Sequence, residues 1–318
     1  MSTPWLRRLA GGIACVVALA LSGCGAGTIT SALKPDRFVV FGDGMSDIGT
    51  YGARLTVNDG GLGVWVEQMV ARYGKPLTLA ASGGTAYARA HARVASKPDA
   101  AGRSDTLTLT EQIDSFLLRD KIGANDVFIV NAGISDLLVQ AGAMTAGAQT
   151  EAQMLAQLAA AGRAMGEQTR RLVDAGARYV VVVGSYNLGR SPWARTLLKQ
   201  EALLERASLH FNNNFLESVV DLGARVLYID AALHFNLVTG FPSSYGLRDA
   251  SAIACTSRDP GPGIGIGAAQ VNSSLCNASS IASGVDYGFT AFADAVYFTP
   301  AAHRSFSDYA YGRLTARW

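Results

Sequence analysis

The sequence predicts an α/β protein in which a mostly parallel sheet of five strands lies between two layers of helices, a three-layer α/β/α domain. Short apolar runs without a polar face recur along the chain and alternate with helical patterns, as expected of strands buried on both sides. With 318 residues, 49% hydrophobic and 16% charged, the chain can bury one large core. Beyond Leu33 no Pro/Gly/Ser-rich linker divides it and no internal repeat is visible, so residues 36–318 read as a single doubly wound domain.

Residues 37–41 read as the first buried strand, and residues 64–73 as a helix with Trp65, Val66, Met69 and Val70 on one side. Pro76 ends that segment, and residues 77–80 are expected to add a short strand. Thr108 followed by Glu111 forms a capping box for a helix running to Leu118. Residues 127–130 are the next strand, and residues 150–175 a long alanine-rich helix that Gly176 terminates. The most strongly β-branched run, residues 178–183, follows as a strand. Residues 193–222 are helical with an interruption, residues 225–229 give the fifth strand, and a final helix starts at Thr299. Residues 51–63, 91–105 and 138–149 read as excursions near the mouth of the sheet. Ligands in such sheets sit beyond the carboxyl ends of the strands, so the residues after each strand are the ones to inspect.

The amino terminus carries a short basic stretch with Arg7 and Arg8, then an apolar run from Leu9 to Leu21 that is too short for an ordinary membrane-spanning helix of about 20 residues. The run ends in Leu21-Ser22-Gly23-Cys24, which resembles a bacterial lipobox. The resemblance implies removal of residues 1–23 as a signal peptide, acylation of Cys24 and a lipidated tether over residues 24–35. Gly25 after the cysteine implies an outer-membrane destination in the cell envelope, with membrane lipid as a partner through Cys24. Removing Arg7 and Arg8 takes the 27 basic residues to 25, level with the 25 acidic ones. A neutral body offers no electrostatic footprint for nucleic acid. Cys15 leaves with the signal and Cys24 is lipidated, so Cys255 and Cys276 are the thiols of the body, and in an oxidising compartment they read as a disulfide. Histidines 91, 210, 234 and 303 are too scattered for a metal site, and no cofactor is expected. The glycine-rich run from Gly261 to Gly267 lies between the two cysteines without a following lysine, and reads as a pinned surface loop rather than a phosphate cradle.

After the first strand comes Phe41-Gly42-Asp43-Gly44-Met45-Ser46-Asp47. A dinucleotide fingerprint would need a third glycine where Asp47 stands, and Asp43 would set an anion beside the pyrophosphate. The segment instead resembles the first block of the GDSL, or SGNH, lipase and esterase family, Phe-Gly-Asp-Ser-Leu-Ser-Asp. Further blocks follow in family order at Ala81-Ser82-Gly83-Gly84, Gly133-Ile134-Ser135-Asp136, Asn187-Leu188-Gly189 and Phe292-Ala293-Asp294, so the resemblance covers almost the whole body and implies an SGNH-hydrolase-like domain.

Position by position, the resemblance also implies that the chemistry is missing. Gly44 stands at the family nucleophile, which removes the attacking oxygen. Ser135 replaces the oxyanion asparagine with a shorter hydroxyl, leaving the backbone N–H of the matching Gly84, and one lost donor costs about 3 kcal/mol. In the last block, Asp294 is kept but Tyr297 stands where the histidine base belongs, and a phenol is a poor base near neutrality. Ser46, read as lying in a first helical turn, is expected to make a helix-start hydrogen bond, with a substitute nucleophile as its alternative. His303 matches a second, non-catalytic histidine, with a replacement base as its alternative. The expectation is a catalytically degenerate envelope lipoprotein that binds an acyl, glycan or protein ligand in the ancestral cleft, with Tyr51, Tyr87 and Tyr297 available to line it. The alternatives are an active carboxylic ester hydrolase with displaced catalytic residues, and a purely structural envelope lipoprotein.

Overall fold

The computed structural model describes residues 31–318, so the lipobox, Cys24 and the first part of the tether lie outside the described residues. Strands β1 (Phe38–Gly42), β2 (Val127–Asn131), β3 (Tyr179–Val183) and β4 (Val226–Tyr228) pair in parallel in that order. β1 and β2 are buried at every position, as their lack of a polar face requires. The helices are α1 (Trp65–Arg72), α2 (Leu109–Arg119), α3 (Ile134–Thr145), α4 (Glu151–Asp174), α5 (Glu201–Val219), α6 (Ala231–Gly240) and α7 (Pro300–Arg317). α2, α3 and α5 pack on α4 in one layer, while α1 and α6 pack on α7 in the other. The Thr108–Glu111 capping box is present, with the Thr108 hydroxyl accepting from the Glu111 N–H. Among the described residues no helix is long and apolar enough to cross a membrane.

The sheet differs from the expected five strands. A second, two-stranded parallel sheet of β5 (Asp249–Ile253) and β6 (Thr290–Phe292) stands apart from the four. Of the five expected strands the one that is missing is residues 77–80, which fold back on residues 84–86 instead of joining β1. The Ala80, Gly84 and Thr85 N–H groups donate to Ala86, Leu79 and Thr78, so their bonding is spent locally. The place beside β1 is taken by residues 85–88, with Val40 donating to Thr85 and accepting from Tyr87. The 138–149 excursion is largely helical, since α3 runs to Thr145. The interruption after Trp193 falls at Lys199, whose φ of 54° closes a wide turn before α5 begins. No helix follows β1; residues 43–46 form a tight turn closed by the Ser46 N–H on the Asp43 carbonyl.

Cys255 and Cys276 form a disulfide, with 5.9 Å between their Cα atoms. The loop it closes is packed rather than free: Ile264 is buried, and a Cβ on Gly265 would lie 2.6 Å from the Ala100 carbonyl oxygen.

Candidate active site

The carboxyl ends of β1, β2 and β3 are tied together by buried polar groups. Gly42 has a φ of 145°, and a Cβ there would fall 1.9 Å from the Asn131 carbonyl oxygen, so only glycine lets β1 pass so close to β2. The Gln112 side chain completes the Gly42 peptide, accepting from its N–H at 2.8 Å and donating to its carbonyl at 2.9 Å. Asp43 accepts from the N–H of Met45 at 3.1 Å and of Ile134 at 3.0 Å, joining the turn after β1 to the start of α3. Burial pushes its pKa up to about 7.

Gly44, Ser135, Asp294 and Tyr297 are all buried around this junction. A Cβ on Gly44 would lie 2.4 Å from Leu55 Cδ1, 3.1 Å from Tyr297 Cε1 and 3.2 Å from Tyr297 Cζ, so the space of a nucleophilic side chain is filled by a leucine and a phenol ring. Tyr297 thus stands against position 44, but as packing. Its hydroxyl faces that of Ser135, and neither makes a hydrogen bond of good geometry among the described residues. Burial raises the phenol well above its ordinary pKa, and the carboxylates of Asp43 and Asp294 push the same way. Such a group neither ionises nor accepts a proton near neutrality.

Asp294 is occupied as a staple. Oδ1 accepts from the N–H of Val296 at 2.8 Å and Tyr297 at 2.7 Å, and Oδ2 from that of Ser273 at 3.2 Å. Ser273 lies on the disulfide-closed loop, so the carboxylate holds a turn and a loop together instead of orienting an imidazole. Burial raises its pKa to about 6 against these bonds.

The remaining sites fall elsewhere. Ser46 Oγ donates to Asn131 Oδ1 at 2.8 Å and accepts from Trp65 Nε1 at 3.1 Å, so it knits strands to α1 in place of the expected helix-start bond. His303 accepts from the Trp65 backbone N–H at 3.3 Å through Nδ1, and burial lowers its pKa to about 3. Gly84 is corrected: Thr85 pairs with Phe38 and Val40, which puts Gly84 at the amino end of β1, and its N–H is spent on the Leu79 carbonyl at 2.9 Å. The stretch reaching the carboxyl end is Arg89-Ala90, with Arg89 donating to Gly42 and the Ala90 N–H to Asp47 Oδ2 at 2.8 Å. Tyr51 lies under the Arg103 guanidinium and Tyr87 packs on Phe41, so neither lines a cleft with Tyr297. The residue missed from sequence is Leu55, and Asn131, which belongs to the block matched from Val130 to Asp136, gains its role as the partner of Ser46 and Trp65 only in the structure. A lone asparagine ending an otherwise apolar strand was the available signal for Asn131; nothing local marks Leu55.

No family profile and no curated protein matches this chain. Among solved structures it is similar to phospholipase A1 from Streptomyces albidoflavus NA297, at 13% identity and a TM-score of 0.41, over 86% of this chain and 97% of that one. Another solved chain, also 13% identical, gives a TM-score of 0.43 over 90% of this chain and 98% of that one. Both likenesses are distant, and the chemistry rests on the geometry above.

Proposed function

We propose that this chain is a catalytically degenerate GDSL/SGNH-type protein, held in the bacterial envelope by an acylated Cys24, which does not hydrolyse esters by the serine route. The observation that carries the reading is the packing of Leu55 and Tyr297 into the space a side chain at Gly44 would need. A residue lost by substitution alone would leave a vacant pocket; here the neighbours have closed over the position. The same packing argues against an acyl, glycan or protein ligand reaching the ancestral cleft at Gly44, Ser135 and Tyr297, and moves any binding role to another face. The displaced-residue hydrolase is disfavoured because Ser46 is held by two side-chain bonds and His303 carries its lone pair to a backbone N–H.

Stopped-flow mixing with an activated aryl ester tests this. The expected result is no burst and a rate equal to buffer, unchanged by Tyr297→His, because a base without a nucleophile has nothing to activate. A stoichiometric burst that Ser46→Ala abolishes would overturn it.

A further inference from the structure

An opening away from the strand ends lies between α6, α7 and the turn at residues 244–247, a cavity of about 550 Å³. That volume is in the range that holds a small organic ligand. Its walls are apolar where α6 supplies Leu233 and Leu237 and the following turn supplies Leu247. Leu233 and Leu237 are 51% and 38% exposed and one turn apart, so they form an apolar stripe along one side of α6 beside the cavity.

The polar groups converge at one end. His234 stacks on Tyr309 with ring centroids 5.0 Å apart, and its Nε2 lies 3.1 Å from Ser305 Oγ. Burial lowers its pKa to about 4, so the imidazole is neutral; in the tautomer with the proton on Nε2 it donates to Ser305 Oγ and leaves the hydroxyl proton for a ligand. Arg304 and Asp308 both line the cavity, one turn apart; Arg304 has no ion-pair partner among the described residues, while Asp308 pairs with Arg72 at 2.7 Å. A guanidinium without an ion pair, beside the Ser305 hydroxyl at the end of an apolar stripe, favours an anionic head on a single chain.

We propose that this cavity binds a free fatty carboxylate, its head group on Arg304 and Ser305 and its chain along Leu233 and Leu237. Titration calorimetry with sodium decanoate below its micellar range tests the assignment. The expected result is one saturable site per chain, weakened about tenfold by Arg304→Gln, the loss of one charge-assisted bond. Arg304→Glu deepens the loss and Leu237→Asp removes binding; both side chains are solvent-facing, and far-UV dichroism verifies the fold. Absence of saturable uptake, equal binding of 1-decanol, or affinities untouched by all three substitutions would overturn the proposal. Equal displacement of decanoate by a single-chain phosphocholine would overturn the carboxylate assignment. Binding is read without turnover, so its failure leaves the hydrolysis result standing.

Discussion

Gly44 and Tyr297 decide the chemistry between them. Adding a methyl group at position 44 overpacks a filled space, and Gly44→Ala is expected to lower stability by about 1–3 kcal/mol in urea unfolding. In a Leu55→Ala background the same substitution should cost less than in the wild type, because the clash at 2.4 Å is with Leu55 Cδ1. Strict additivity of the two substitutions would refute the packing reading. Tyr297→Phe removes a buried hydroxyl whose one polar neighbour, the Ser135 hydroxyl, makes no well-formed bond to it, so stability should stay within about 1 kcal/mol of wild type or rise. A larger loss would mean that the hydroxyl is bonded. The departures at positions 44, 135 and 297 from the motifs the sequence resembles were legible because each sets a residue of different chemistry at a motif position. The filling by Leu55 was not, since it depends on a contact eleven residues away. The misplacement of Gly84 has a similar source: a glycine-rich block shows that a tight passage exists, but not which end of β1 it lies beside.

The junction between β1 and α3 sets a pH dependence. Asp43, with its pKa raised to about 7, favours the protonated form in the folded state. Its contribution is complete below the unfolded value and is lost as pH rises through the folded one. His303 and His234, lowered to about 3 and about 4, act the other way, with a contribution that is lost as pH falls and complete only well above an unfolded pKa of about 6.5. The Asp43→Asn protein keeps these histidines and Asp294, so the difference between the two proteins isolates Asp43: from about pH 4 to about pH 8 the urea midpoint of the wild type should fall relative to that of Asp43→Asn. A rise relative to Asp43→Asn over that window would contradict the assignment. The disulfide works on the neighbouring element by holding the loop whose Ser273 N–H serves Asp294. Replacing both cysteines by serine should cost about 3 kcal/mol in urea unfolding, the loop-closure value for a bridge of this span. The strands of the four-stranded sheet and most helices were legible from apolar runs and capping residues. The two-stranded sheet was not, because β5 reads Asp249-Ala250-Ser251-Ala252-Ile253 and has no apolar run, and its pairing is fixed by the tertiary fold alone.

At the scale of the whole molecule, the layered α/β architecture follows from strands that must be covered on both faces. The chain enters it at the end opposite Gly44. Leu33 is buried, its N–H donates to the Trp318 carbonyl at 3.2 Å, and β1 starts five residues later. A lipid on Cys24 would therefore tether the domain by the amino ends of its strands, and Cys24→Ser should move the protein from the membrane fraction to the soluble one. An unlipidated native chain by intact mass would refute the anchor. The closed site is tested most directly by intact mass after prolonged incubation with a fluorophosphonate probe, which reports a reactive serine whatever the substrate. The protein should remain unlabelled. A stoichiometric adduct, mapped to Ser46 and lost in Ser46→Ala, would contradict the proposed loss of the serine route.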